Sequence, residues 1–259
     1  MNPKTKSISI IPIIGIPEIN PGDKITKIIS ETISKKKISI LNGDILVIAQ
    51  KIISKAENRI VDVKKISPSP FAISLGMELE KDPKIVEIIL SETKNIVRKG
   101  LGRFGKAKLI VENNNGIICA NAGVDASNVS GGNKVTLLPE DPDRSAKKIV
   151  EEFKSNLGVD IAVIITDTVG RPWRLGLTEI AIGCYGIKPL LDYRGKRDSK
   201  GYLLSATVIA IADEIACAAG LVMNKIKSIP AVILRGYTYE PAGLGAKELI
   251  RSPEEDFFR

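Results

Sequence analysis

Two short stretches of this 259-residue chain combine acidic, hydroxyl and small residues in a way that could hold a divalent cation against phosphate. The first is Ile165-Thr-Asp-Thr-Val-Gly-Arg171, where Asp167 and Thr168 follow a run of β-branched residues. A carboxylate at the C-terminal end of a buried strand can project into a crevice, and the hydroxyl beside it supplies a second hard oxygen. Arg171 follows within reach of a phosphate. The second stretch is Asn121-Ala-Gly-Val-Asp-Ala-Ser-Asn128, in which Asp125 lies among small residues that permit close backbone approach and polar ones that offer further oxygens. Spacing leaves a plainer reading open at both places, since an aspartate after a strand commonly caps a helix or forms a turn.

The chain has no histidine. Ser-His and Cys-His nucleophile pairs, histidine general bases and most transition-metal cages are therefore excluded. Chemistry must run on carboxylates, lysine, arginine, hydroxyls and hard-oxygen metal sites. A net charge of +8, with a pI near 9.3, suits nucleic acid, nucleotides or acidic small molecules without choosing among them. Aromatics are only 4% and no stretch interleaves them with basic residues, which argues against a nucleic-acid partner. Cys119, Cys184 and Cys217 are odd in number and widely spaced, so buried thiols in a reducing compartment are expected rather than disulfides or a zinc site. Lys, Glu, Asp or Asn interrupts every Ile-rich run before the roughly 18 apolar residues of a membrane span. The N-terminal segment also lacks the pattern of a cleavable leader, so no membrane association and a cytoplasmic location are expected.

The elements that must position these residues follow from periodicity and turn chemistry. Residues 7–14 read as a strand ending in Gly15-Ile-Pro17, and Pro21-Gly-Asp23 opens a helix with Ile25, Ile28, Ile29 and Ile33 at helical spacing. Residues 44–50 read as a buried strand, and 82–99 as a helix with Ile85, Ile88, Ile89 and Ile96 on one face. An Asn113-Asn-Asn-Gly116 turn joins two short strands within 108–121. Beyond it lie a helix over 142–157, a strand over 160–166, a nearly apolar helix over 208–223 and a last strand over 231–234. The segment Gly100-Leu-Gly-Arg-Phe-Gly-Lys106 has the glycine spacing of a dinucleotide fingerprint and most of a P-loop. Ala107 stands where the P-loop hydroxyl belongs, however, and a helix precedes rather than follows it, so a flexible basic loop is the simpler reading. Strands and helices do not alternate regularly. The expectation is an α+β fold of mixed sheets with packed helices, arranged as two interleaved lobes of a single domain over residues 1–259.

In this order, Ile14-Gly-Ile-Pro17, Asp44-Ile-Leu-Val-Ile-Ala-Gln50, Ile53-Ser-Lys-Ala-Glu57, the stretch through Asp125 and Asn128, the stretch through Asp167 and Arg171, Ala212-Asp-Glu214 and Ile229-Pro-Ala-Val232 closely resemble the coenzyme F-420-0:L-glutamate ligase family. The resemblance spans nearly the whole chain. It implies that GTP phosphorylates the terminal carboxylate of a deazaflavin precursor, that the amine of L-glutamate attacks the acyl phosphate, and that a second, γ-linked glutamate can follow. It also implies nucleotide contacts at Ile14, Gly15, Ile16, Pro17, Gln50, Lys51, Lys55, Asn128, Ile229 and Pro230. Magnesium or manganese, with potassium as helper, would sit on Asp125, Asp167 and Thr168. Lys55, a point cation on the phosphates, and Arg171, gripping the carboxylate or the acyl phosphate, are the catalytic candidates. A homodimer is implied by the resemblance alone. Lack of histidine fits such a reaction, because phosphoryl transfer depends on charge neutralisation and positioning.

The chain departs from the family pattern at two places. Gln50-Lys51 stands where many relatives carry a hydroxyl residue. Met223-Asn-Lys-Ile-Lys-Ser228 replaces a glycine-rich loop whose acidic residue helps to hold a second ion. Lys225 falls near that point, and two readings stand: its ammonium replaces part of the metal's charge, or it points to water. The alternatives to the F-420-0 reaction are a ligase of the same fold for another acidic acceptor and a GTP-binding protein without turnover.

Overall fold

Strands buried on both faces must be apolar at every position, and the two runs Ile45–Ala49 and Ala162–Ile165 meet that requirement. The computed structural model describes residues 7–101, 107–125 and 133–258. Strands β1 (Ser9–Pro12) and β2 (Ile45–Ala49) flank helix α1 (Ile25–Lys35), and α2 (Gln50–Ala56) follows β2 with no loop between. Next come β3 (Ile60–Asp62), α3 (Pro70–Glu78), α4 (Pro83–Ser91), β4 (Thr93–Leu101), β5 (Ala107–Asn113), β6 (Ile118–Ala120) and β7 (Lys134–Thr136). The remainder is α5 (Pro142–Leu157), β8 (Ala162–Arg171), β9 (Arg174–Tyr185), β10 (Leu191–Asp192), β11 (Val208–Ile209), α6 (Ile211–Met223) and β12 (Ala231–Arg235).

The main sheet runs β1-β12-β2-β8-β9, and within it only β2 and β8 are parallel. Side chains alternate across it with period two. Leu46, Ile48, Val163 and Ile165 pack beneath α1, α2 and α5 through Ile29, Ile53 and Phe153. Ile45, Val47, Ala162 and Ile164 pack beneath α6 through Ile215, Ala216 and Ala219. Each of the valine, leucine and isoleucine side chains among them, withdrawn from water, contributes about 1.5–3 kcal/mol. A separate core forms where α3 and α4 lay Leu75, Val86 and Ile89 on Leu109 and Val111 of β5, which is the middle strand of β4-β5-β6. Strands β3 and β7 pair antiparallel beside it. The expected α+β class with mixed sheets is what the chain adopts.

Several local expectations are corrected. The helix read over 82–99 stops at Ser91, and Ile96 belongs to β4, because the chain leaves the helix at Glu92 and its next residues pair with β5. The strand read over 160–166 continues to Arg171, and β9, which the sequence reading did not include, pairs with it as a long hairpin. Gln50 opens α2 rather than closing β2. The apolar helix over 208–223 begins at Ile211, its first two residues forming β11. Of the three thiols, Cys119 and Cys184 are buried as expected while Cys217 is exposed. The glycine-rich segment 100–106 joins β4 to β5, a strand on either side, which removes the P-loop reading; residues 102–106 lie outside the described residues.

Candidate active site

β2 and β8 run side by side in parallel; β2 ends at Ala49, opposite Thr166, and β8 continues past that point into its hairpin with β9. Crevices at the carboxyl ends of parallel strands are where α/β sheets bind ligands. A pocket of about 620 Å³ opens here, inside the roughly 300–1,000 Å³ range of small-molecule sites. Four chain segments converge on it. The turn after β1 brings Ile16 to Ile19, the β2–α2 junction brings Ala49 to Lys51 with Ile52 and Lys55, the β8–β9 hairpin brings Thr166, Asp167, Thr168 and Glu179, and the α6–β12 loop brings Asn224, Lys225, Ser228, Ile229 and Pro230. Gly220 and Met223 of α6, with Asp125, complete the lining.

Local folding explains why these groups face one another. Because β2 passes directly into α2, Lys51 and Lys55 stand one helical turn apart, on neighbouring positions of one face. Gln50 is buried and its Oε1 accepts from Ser54 Oγ at 2.7 Å, so it ties the first turn together. Asp125 is held by a bridge to β7, its backbone exchanging hydrogen bonds with Thr136 at 3.0 and 2.8 Å. Ala49 donates to the Pro230 carbonyl at 2.8 Å, which pins the α6–β12 loop to the end of β2. Glu179 lies directly opposite Thr168 in the hairpin register, and the hydroxyls of Thr168 and Thr166 donate to its two carboxylate oxygens at 2.5 and 2.7 Å.

Charge in the pocket is arranged as lysine–carboxylate pairs. Lys51 Nζ meets Asp125 Oδ2 at 2.6 Å, Lys55 Nζ meets Glu18 Oε1 at 2.5 Å, and Lys225 Nζ lies 3.4 Å from Glu179 Oε1 while also donating to Thr168 Oγ1. Asp167 is the fourth carboxylate. Burial pushes it up to about 6; the backbone N–H of Thr168 and the charge of Lys225 oppose the rise, and the charges of Glu179 and Asp125 add to it. Asp167 also helps to push the Cys119 thiol up to about 12, although burial is the main cause there. Three lysines against four carboxylates leave no surplus positive charge for a phosphate. Among the described residues no group of three or more Asp, Glu or Cys side chains could hold a metal unaided. The oxygens of Asp125, Asp167 and Thr168 are nevertheless hard donors of the kind magnesium and manganese accept, usually with substrate phosphates completing the shell.

Most residues singled out from sequence meet here. Ile16, Pro17, Gln50, Lys51, Lys55, Asp125, Asp167, Thr168, Ile229 and Pro230 all line the pocket. Ile14 and Gly15 do not; with Pro17 and part of α1 they line a separate hollow of about 190 Å³. Arg171 stands at the exposed end of the hairpin, where its guanidinium donates to the Leu175 carbonyl at 3.4 Å, and it does not line the pocket. Asn128 lies outside the described residues. Sequence reasoning missed Glu18, Thr166 and Glu179. Glu18 directly follows the Ile14–Pro17 motif, and Thr166 sits inside the Asp167 motif, so both could have been proposed. Glu179 could be found only by registering β9 against β8.

The sequence profile of the family described as F420-0:Gamma-glutamyl ligase matches residues 13–236 of this chain. A coenzyme F420:L-glutamate ligase of Methanothermobacter thermautotrophicus is 42% identical over 255 residues, 97% of this chain and 99% of its own length. Proteins of the same description from Methanopyrus kandleri and Methanocaldococcus jannaschii are 43% and 44% identical, over 93% and 96% of this chain and 94% and 97% of their own.

Proposed function

We propose that this chain, which belongs to the F420-0:Gamma-glutamyl ligase family, joins L-glutamate to the deazaflavin precursor F-420-0 at the expense of GTP. That the protein is a ligase follows from the family; acceptor, nucleotide and intermediate are our reading. The observation that carries it is the pairing of Lys51 and Lys55, just beyond the carboxyl end of β2, with acidic partners that phosphate oxygens can replace.

In this reading the γ-phosphoryl group of GTP passes to a carboxylate oxygen of the precursor, and GDP leaves. The glutamate amine then attacks the acyl carbon and gives up a proton, and the carbon–oxygen bond to phosphate breaks, leaving an amide. A repeat of the cycle on the new terminus gives a γ-linked second glutamate. Lys55 exchanges Glu18 for phosphate oxygen, and Lys51 does the same with Asp125. Gln50, Ile16, Pro17, Ile229 and Pro230 form the walls that exclude water and orient the nucleotide. Because the lysines are already neutralised, a triphosphate needs additional cations. Asp125 and Asp167 would hold magnesium or manganese, with potassium as helper, and would help to neutralise charge developing on the transferring phosphoryl group, while the Thr168 hydroxyl, which the resemblance adds to this set, bonds Glu179 and Lys225.

A cytoplasmic location is part of the same proposal; among the described residues no helix is long and apolar enough to cross a membrane. A homodimer is supported by Trp173, Leu175 and Leu177 on the β8–β9 hairpin, 87%, 77% and 66% exposed, since contiguous exposed apolar surface marks association sites. The two-lobed arrangement is supported by the separate core around α3, α4 and β5. Release of GDP, measured with the precursor, L-glutamate and a divalent ion each omitted in turn, tests the function. Turnover that requires all three supports the ligase reading. Turnover indifferent to the precursor points to another acidic acceptor, and tight GTP binding without turnover points to a silent nucleotide-binding protein.

A further inference from the structure

Glu179 is buried to the point that its side chain is 14% exposed, and a carboxylate in such surroundings requires a cation or a full set of hydrogen bonds. Two threonine hydroxyls already donate to it. The remaining partner is Lys225, which approaches Glu179 Oε1 at 3.4 Å and Thr168 Oγ1 more closely still. One ammonium thus spans a carboxylate oxygen and a hydroxyl oxygen, the pair of hard donors that a small divalent ion would otherwise take. Strand alternation puts Thr168 and Glu179 on one face of the hairpin and Asp167, out of step by one residue, on the other. In the loop that carries Lys225, Asn224 and Ser228 adopt positive φ of 48° and 52°, and Asn224 Oδ1 accepts from Ile226 N at 2.9 Å.

We propose that Lys225 is a tethered cation occupying the Glu179 end of the pocket, so that divalent ions bind this chain only at the Asp125–Asp167 end. This rests on the divalent site proposed above. A divalent ion on the same two oxygens would sit within a few ångströms of the ammonium and be repelled by it, and the lysine, attached to the chain, is always present.

Manganese binding by equilibrium dialysis, on the full chain with GDP present to complete the ion's shell, tests the proposal with Lys225→Gln, Lys225→Arg and the double variant Lys225→Gln/Glu179→Gln. The lysine side chain is 73% exposed, so its replacement leaves the fold intact, and circular dichroism checks this. The account expects Lys225→Gln to bind one more manganese per chain than the wild type, Lys225→Arg to match the wild type, and the double variant to lose the gained ion. An unchanged count in Lys225→Gln, or a gain that persists without Glu179, overturns it. A wild type that binds no manganese at all would count against the Asp125–Asp167 site instead, while the comparison among variants would still judge Lys225.

Discussion

Lys55 is a cation held inside the protein by a partner that is mostly outside it: its side chain is 9% exposed and that of Glu18 is 69% exposed. Such a pair is readily exchanged, because Glu18 regains water when it lets go. Replacing Lys55 by alanine removes a charge-assisted contact of about 1.5–3 kcal/mol to phosphate, so the KM for GTP should rise roughly 10- to 100-fold in steady-state assays. Glu18→Gln should act in the opposite direction and lower that KM a few fold, since it frees Lys55 in advance. Asp167 makes a pH prediction. Its carboxyl, ordinarily near 3.8, is raised to about 6, so the folded state keeps this proton to higher pH than the unfolded chain does. The resulting stability is fully present below about pH 4 and is lost as pH rises through about 6. The loss is at most roughly 3 kcal/mol and, with partial solvent access, on the order of 1–2 kcal/mol. Thermal melts in EDTA at pH 4 and pH 7.5 should show a larger fall for the wild type than for Asp167→Asn; equal falls would remove this account of Asp167. At this scale the acidic motifs were legible in the sequence because aspartate beside threonine or among small residues is a local pattern. Glu179 was not, since its role comes from a residue eleven positions away across a hairpin.

Among the elements, α5 was read to the residue. Asp141 caps it by accepting from Arg144 N, Pro142 occupies its first turn, and Gly158 ends it with a left-handed φ of 67°, which are all local signals. Strand β4 was misread as the end of a helix because Ile96 continues the spacing of Ile85, Ile88 and Ile89, and nothing local reports that β5 will pair with it. Strand β9 left little trace because its first four residues, Arg174 to Leu177, are exposed and follow no burial pattern. Its docking on α5 is nonetheless tight. A Cβ on Gly183 would fall 2.5 Å from the Pro142 carbonyl carbon, a clash with backbone that only a shift of α5 could relieve. Gly183→Ala should therefore cost about 1–3 kcal/mol in chemical denaturation. No loss would mean that α5 and β9 are less closely seated than described. Asp143 reinforces the same junction, accepting from Cys184 N at 2.8 Å and Ala246 N at 2.7 Å, a link between distant segments that sequence could not disclose.

For the whole molecule, composition fixed the kind of chemistry through the absence of histidine, while the order β1-β12-β2-β8-β9 remained hidden because it joins strands from opposite ends of the chain. That order is what brings Ile229 and Pro230 beside Gln50, and so what closes the pocket. If the exposed β8–β9 hairpin mediates a dimer, light scattering should give twice the 28.0 kDa chain mass. A Leu175→Gln/Leu177→Gln variant should then return the mass to that of one chain, whereas a monomeric wild type would contradict the proposed interface. The central claim is that this pocket makes an amide between a deazaflavin carboxylate and glutamate. It is tested most directly by mass spectrometry of the precursor after incubation with the protein, L-glutamate, GTP and magnesium or manganese, beside an Asp167→Asn control. The account predicts a mass gain of one or two glutamyl units that disappears in the control. An unchanged precursor in the presence of bound GTP, or a gain that survives the loss of the Asp167 carboxylate, would contradict it.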